Sequence, residues 1–189
     1  MAYLVASHRA TPESLLAITF TNKAAAEMGQ RLTLLLGVRL AERMTIKTFH
    51  AFGATLLREF GGEIGLDPRF VIYGDEERAR LLRNSFPAAD EREIGDWLVQ
   101  ISSAKNLLLS PQEVAAVRNG DADNLPDPEI FATYEAAMQQ AIGLDLDDLI
   151  GQAIRLLQTS QQILRVSTTA TAGSRWTSTR ISTWLNTGC

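Results

Sequence analysis

Apolar residues follow two different rhythms along this chain, and the change from one to the other marks out its elements. Residues 15–20, LLAITF, form a short continuous apolar run of the kind that makes a buried parallel strand. From Lys23 to about Leu36 apolar residues return at helical spacing, at Ala24, Ala25, Met28, Leu32 and Leu35, which predicts a helix. Residues 45–48 predict a second short strand, and residues 49–60 go back to helical spacing until Gly61 and Gly62 stop it. Residues 1–8 read as the end of an earlier helix. Strand, helix, strand, helix is the order of an α/β fold.

From Asp67 the character changes. Pro87, Pro111, Pro126 and Pro128 separate helical segments at roughly 76–85, 90–105, 111–119 and 128–142, which predicts a separate, mainly α-helical subdomain. A last helix over 147–164, with Leu149, Ile150, Ile154, Leu157 and Leu164 on its apolar face, carries the chain back to the α/β part. The expected division is 1–57 (α/β), 58–142 (helical insertion), 143–165 (return helix) and 166–189 (tail), mostly helical by content.

Composition narrows the class. A chain of 189 residues with 46% hydrophobic and 21% charged residues is ordinary for a globular protein. Its apolar runs are too short and too interrupted by charge to span a bilayer, and its start lacks the pattern of an export signal, so a cytoplasmic protein is expected. One cysteine, Cys189, leaves no internal disulfide and no cysteine-based zinc cluster. With only His8 and His50 as histidines, no metal site is expected.

A net charge of −4 argues against indiscriminate nucleic-acid binding, yet the charge is uneven. Between Phe20 and Glu59 the bases Lys23, Arg31, Arg39, Arg43, Lys47 and Arg58 face only Glu27, Glu42 and Glu59. Acid gathers further on, at 75–77, 90–93, 121–129 and 145–148. A locally basic groove can hold a strand through counterion release and stacking even on an acidic protein.

The junction at Phe20 carries candidate chemistry. The apolar strand ends on a ring that a base can stack against, Thr21 and Asn22 offer short donors and a helix N-cap, and Lys23 adds positive charge at a helix start that already favours phosphate. At the second junction Thr48 and His50 can reach a phosphate while Phe49 packs or stacks. Spacing alone favours an ordinary βα turn over a nucleic-acid contact, with Phe20 in the core and His50 as a capping or core histidine. Phe52 and Leu56 are assigned to the core. Asp145, Asp147 and Asp148 are read as capping carboxylates at a helix start, because no histidine or further oxygen-ligand cluster accompanies them. Lys105, near a helix C-terminus, fits either a DNA contact or an interaction with the helix dipole.

The same residues carry a family resemblance. LLAITFTNKAAAEM (15–28) resembles the motif that follows the Walker A region in UvrD/Rep/PcrA-type superfamily 1 DNA helicases. TIKTFHAFG (45–53) resembles their next DNA-contacting motif, FVIYGD (70–75) and ISSAKNLLLSP (101–111) resemble segments of the inserted subdomain 1B, and LDLDDLI (144–150) resembles an Asp-Phe-Asp-Asp-Leu element, with Leu146 in place of Phe. The matches run in the family's order over roughly 2–164. The resemblance implies a partial RecA-like parallel sheet of motor subdomain 1A, at 1–57 and 143–165, and a helical subdomain 1B at 58–142.

It also implies the activity of an ATP-dependent 3′-to-5′ helicase of DNA repair or replication, with single-stranded DNA or a single/double-strand junction as partner. Phe20, Thr21, Asn22, Lys23, Thr48, Phe49 and His50 become the implied DNA-binding residues. A RecB/AddA-like helicase–nuclease fragment and a non-catalytic module binding DNA or protein are the alternatives. The family needs ATP and Mg²⁺, held by a Gly-x-x-x-x-Gly-Lys-Ser/Thr loop and by Walker B carboxylates. Neither motif occurs in this sequence, and in relatives the first lies just before the position of Ala2. No catalytic residue, cofactor or metal site is therefore expected in this chain, which alone should be inactive. Self-association through the incomplete subdomain 1A is also expected.

Walker B should follow the last helix, and a tail of different composition stands there. Residues 166–189 hold eleven Ser or Thr and no Asp or Glu. Trp176, Ile181 and Trp184 are poor residues for a flexible linker. Taking the third base of each codon with the first two of the next gives another reading. Trp176 (TGG) followed by Thr177 (AC-) forces GAC, an aspartate, and from Gly173 onward the shifted codons permit Ile-Ser-Val-Asp-Glu-Tyr-Gln-Asp-Ile-Asn-Leu-Ala-Gln-Tyr-Arg-Leu. We therefore hypothesise a one-base frameshift, in the gene or in its reported sequence, and expect resequencing to show this Walker B stretch in the neighbouring frame. DNA over codons 173–189 that cannot encode it in that frame ends the idea.

Overall fold

The computed structural model describes residues 1–117 and 124–159; the anomalous tail and the far end of the last predicted helix lie outside the described residues. The fold divides into two compact units, 1–55 with 156–159, and Leu56–Arg155. No helix among the described residues is long and apolar enough to cross a membrane.

The first unit is a small α/β assembly. After a short helix α1 (Ala2–Ala6) and a 3-10 turn at Pro12–Ser14, strand β1 (Leu16–Thr19) pairs in parallel with β2 (Thr45–Thr48). The link between them is helix α2 (Asn22–Leu36), turned at Gly37, and the one-turn helix α3 (Val38–Ala41). Gly37 takes φ +82°, a backbone conformation that side chains with a Cβ rarely adopt. The core gathers Val5, Leu15, Leu32, Ala41 and Met44, with Met28, Leu36, Leu40 and Ile46 packed against it. Helix α2 thus buries the stripe Met28, Leu32, Leu36. Leu35, assigned to that face on spacing, is 70% exposed, and Leu34 is exposed as well. The i, i+4, i+8 row, not the i+7 position, points at the core here.

The second unit is helical, as its proline-divided sequence predicts. It begins within α4 (Phe49–Phe60), followed by a 3-10 turn, and continues through α5 (Asp75–Ser85), α6 (Glu91–Asn106), α7 (Pro111–Val117), α8 (Pro128–Gln140) and the start of α9 (Leu146–Thr159). Its centre is drier than that of the first unit: Leu82, Ile101, Ala104, Val114 and Tyr134 have no exposed surface. The spacing did not reveal a second parallel pair, β3 (Val71–Ile72) with β4 (Gly143–Leu144). Two-residue strands leave no period to read. Gly143 is required at its position, because a Cβ there would stand 2.9 Å from the Tyr73 ring.

A buried charge cluster ties α6 to α8 and to the start of α9. Lys105 Nζ lies 2.8 Å from each of Asp145 Oδ2, Asp148 Oδ1 and Glu135 Oε1. Tyr134 Oη donates to Asp145 Oδ2 at 2.7 Å, Arg78 Nε donates to Tyr134 Oη, and Arg78 Nη2 donates to Ser102 Oγ. Asp145 and Asp148 also cap α9 reciprocally, each carboxylate accepting from the other's amide. The capping role expected for these aspartates is therefore observed, joined by a cation that sequence spacing gave no means of pairing. Lys105 needs correction on both readings: it is buried at 8% exposure among carboxylates, so it neither faces DNA nor serves mainly the helix dipole. Burial opposes its charge, yet Asp148, Glu135 and Asp145 together raise its pKa. Burial also opposes ionisation of Asp145, but Lys105, the Asp148 amide and Arg78 hold its carboxyl below the usual range. Removing Lys105 alone would leave fully buried Asp145 short of its nearest cation, a kind of loss that costs about 3–5 kcal/mol.

Asp148 behaves in the opposite way. Burial, together with the Asp145 and Glu135 carboxylates, pushes its carboxyl up to about 6 against the pull of Lys105. A proton held more tightly in the folded state contributes stability in full below the unfolded value of 3.8, and that contribution is lost as pH rises through about 6. Asp148→Asn removes this titration. The urea midpoint of the parent chain should fall relative to that of Asp148→Asn as pH is raised from about 4 to about 7. A difference that stays constant across that window contradicts the assignment.

Candidate nucleic-acid interface

In a parallel pair both strands run the same way, so the ends of β1 and β2 must lie side by side. The register sets Thr19 opposite Thr48. Each strand is followed at once by an aromatic residue and a helix, which gives the sheet a carboxyl edge carrying Phe20-Thr21-Asn22-Lys23 next to Phe49-His50. Open α/β sheets bind their ligands at such edges.

Phe20 is 83% exposed, and its ring centroid lies 5.0 Å from that of half-buried Phe49, tilted by 48°. The core placement for Phe20 that spacing alone allowed is not the one observed. Thr21, Asn22 and Lys23 are exposed beside it, and His50 is half-buried. The structure therefore brings all seven residues singled out in the sequence to one edge, with different roles for their polar atoms.

The threonines hold the backbone. Thr21 Oγ1 accepts from the Ala24 amide at 3.1 Å and caps α2. Thr48, buried at 8% exposure, accepts from the Ala51 amide at 3.3 Å in the same way for α4. Thr19, buried beneath the edge, donates to the Thr21 carbonyl at 3.1 Å and fixes the first turn from below. A buried, capping Thr48 presents little hydroxyl to a ligand, unlike the phosphate contact that sequence reasoning gave it.

Electrostatics separate these two helix starts from those of α5 to α9. Helices α2 and α4 carry no acidic residue in the first turn, whereas α5, α6, α7, α8 and α9 each carry at least one. Acid in the first turn offsets the positive end of the helix dipole, and its absence at both junctions leaves that end uncompensated. Lys23, in the first turn of α2, adds a further positive charge where a helix alone would disfavour one.

Two residues behind the edge had no site role in the sequence reading, Lys47 counting there only as one of several bases and Thr55 not at all. Lys47 Nζ donates to Thr55 Oγ1 at 2.6 Å, and Thr55 Oγ1 donates to the Ala51 carbonyl at 2.8 Å. A lysine inside a four-residue strand was the available signal, since such a charge must find a partner or water.

Comparison with known proteins agrees with this geometry. The model of the UvrD/REP helicase N-terminal domain matches residues 1–171. The chain is 36% identical over 171 residues to the ATP-dependent DNA helicase PcrA of Bacillus subtilis, covering 87% of this chain and 22% of that protein. It is 34% identical over 170 residues to ATP-dependent DNA helicase UvrD1 of Mycobacterium leprae, covering 86% and 22%, and 30% identical over 166 residues to ATP-dependent DNA helicase Rep of Escherichia coli, covering 86% and 24%. The chain thus spans about a quarter of the length of these curated relatives. With most of its length matched by the family model and the parallel-strand edge in place, the chain belongs to the UvrD/REP helicase N-terminal domain family.

Proposed function

We propose that this chain is a segment of the N-terminal motor region of an ATP-dependent 3′-to-5′ DNA helicase of repair or replication, and that it holds single-stranded DNA at the joined ends of β1 and β2. Phe20 carries the reading. A phenylalanine left 83% exposed contributes little to the core, while its contact with Phe49 makes a two-ring platform on which bases can stack. Lys23, His50 and the acid-free starts of α2 and α4 surround the platform with groups suited to phosphate. Within this reading, 1–57 and 143–165 belong to motor subdomain 1A and 58–142 to the inserted subdomain 1B.

The nucleotide chemistry of the family finds no cradle in these residues. No Gly-x-x-x-x-Gly-Lys-Ser/Thr run occurs in the sequence, and among the described residues no group of three His, Cys, Asp or Glu side chains could hold a metal ion. In this reading the segment contributes a strand-binding surface. Each strand of the β1–β2 pair has one unpaired edge among the described residues, which favours self-association.

Fluorescence anisotropy with a labelled oligothymidylate at several salt concentrations tests the proposal. Binding should be weak, because one small edge supplies all of the contacts, and should fall as salt is raised, because part of it is contact with phosphate. Phe20→Ala should weaken it by about 1–3 kcal/mol for each base stacked on the ring, and Lys23→Ala should lower the salt slope by about one. Binding that both substitutions leave unchanged would show that the strand is held elsewhere.

A further inference from the structure

The polar contacts beneath the aromatic edge form a chain that runs from strand to helix. Lys47 and Thr48 are neighbours in β2 and point to opposite faces of the sheet, as successive residues of a strand must. Both reach the first turns of α4, and both act on Ala51. Thr48 Oγ1 takes the Ala51 amide at 3.3 Å. Lys47 Nζ, through its 2.6 Å hydrogen bond to Thr55 Oγ1, is linked to the Ala51 carbonyl, to which Thr55 donates at 2.8 Å. The backbone of Ala51 is thereby held from two sides by consecutive residues of β2.

Phe49 and His50 lie between these anchor points. The strand-to-helix turn that carries them has little freedom of direction while both anchors are made, and the 5.0 Å spacing of the Phe49 and Phe20 rings depends on that direction. Lys47 is half-buried, and the Thr55 hydroxyl is its polar contact among the described residues. Spending an ammonium on a neutral hydroxyl contributes little to local charge balance. It does fix the angle at which α4 leaves the strand.

We propose that Lys47 is a positioning residue for single-strand binding: through Thr55 it sets the start of α4, and so holds Phe49 against Phe20 and sets the place of His50 without touching the nucleic acid. The inference rests on the strand-binding reading above and adds to it a residue that acts at one remove.

Two substitutions separate positioning from charge. Lys47→Met removes the ammonium, whereas Thr55→Val removes the bridge and leaves the ammonium in place. With the intact chain and labelled oligothymidylate, each should weaken binding by about threefold to tenfold, the scale of one net hydrogen bond. The double variant should be no weaker than either single one, because both break the same link. Lys47→Arg should recover most of the affinity, and the salt slope should stay that of the parent. Circular dichroism and urea midpoints confirm that the variants remain folded.

The proposal is overturned if Thr55→Val binds like the parent while Lys47→Met lowers the salt slope by about one, since Lys47 would then meet phosphate directly. It is also overturned if Phe20→Ala weakens binding but neither Lys47→Met nor Thr55→Val does. Absence of binding in the parent chain marks instead the failure of the strand-binding reading, and the proposal falls with it.

Discussion

The candidate interface depends on the parallel register of two four-residue strands, with Thr19 opposite Thr48. Parallel pairing forces both strand ends to the same edge, and the residues that follow them, Phe20 and Phe49, must then meet. Antiparallel pairing of the same residues would place the two aromatics at opposite ends of the sheet. The register is maintained by side-chain burial: Ala17, Thr19 and Thr48 are buried and Ile46 packs against the core of the first unit, and a slip of one residue would turn the slipped strand's row to the other face. Buried Thr19 and Thr48 then use their hydroxyls on the turns just above them, so the residues that close the sheet also shape its edge.

The second unit is organised on a different principle. Its interior holds two cations and a set of carboxylates that are stable only together, with Lys105 among Asp145, Asp148 and Glu135, and Arg78 against Tyr134. Such clusters cost desolvation energy and yield little net stability over an apolar core, but they accept one arrangement of their partners and penalise the rest. Here they join Lys105 to Asp145 and Asp148, 40 and 43 positions away in sequence, and to Glu135 of α8, which fixes α6 against the start of α9 and against α8.

Much of this was legible in the sequence, and the parts that were not share a physical cause. The strands at 15–20 and 45–48, the helix that stops at Gly61 and the proline-divided helices follow from local spacing and appear within a residue or two of those expected limits that are described, the end of the 111–119 helix lying outside the described residues. The seven residues of the edge were legible because each stands where a strand hands over to a helix. Lys105 was misread because its partners lie in another part of the chain, and spacing along one helix carries no information about them. The pair β3–β4 was missed because it is too short to have a period. Leu35 was placed inside because a helix face about 100° wide leaves its boundary residues undetermined until the neighbouring element is known.

The central claim, that nucleic acid lies on the Phe20–Phe49 platform, is tested most directly by photo-crosslinking an oligonucleotide carrying 5-iodouracil and mapping the attached peptide by mass spectrometry. The structure predicts adducts on the peptides that contain Phe20 or Phe49 and His50, because a base stacked there is in contact with those rings. Adducts confined to the helical unit, on α5, α6 or α8, would contradict it.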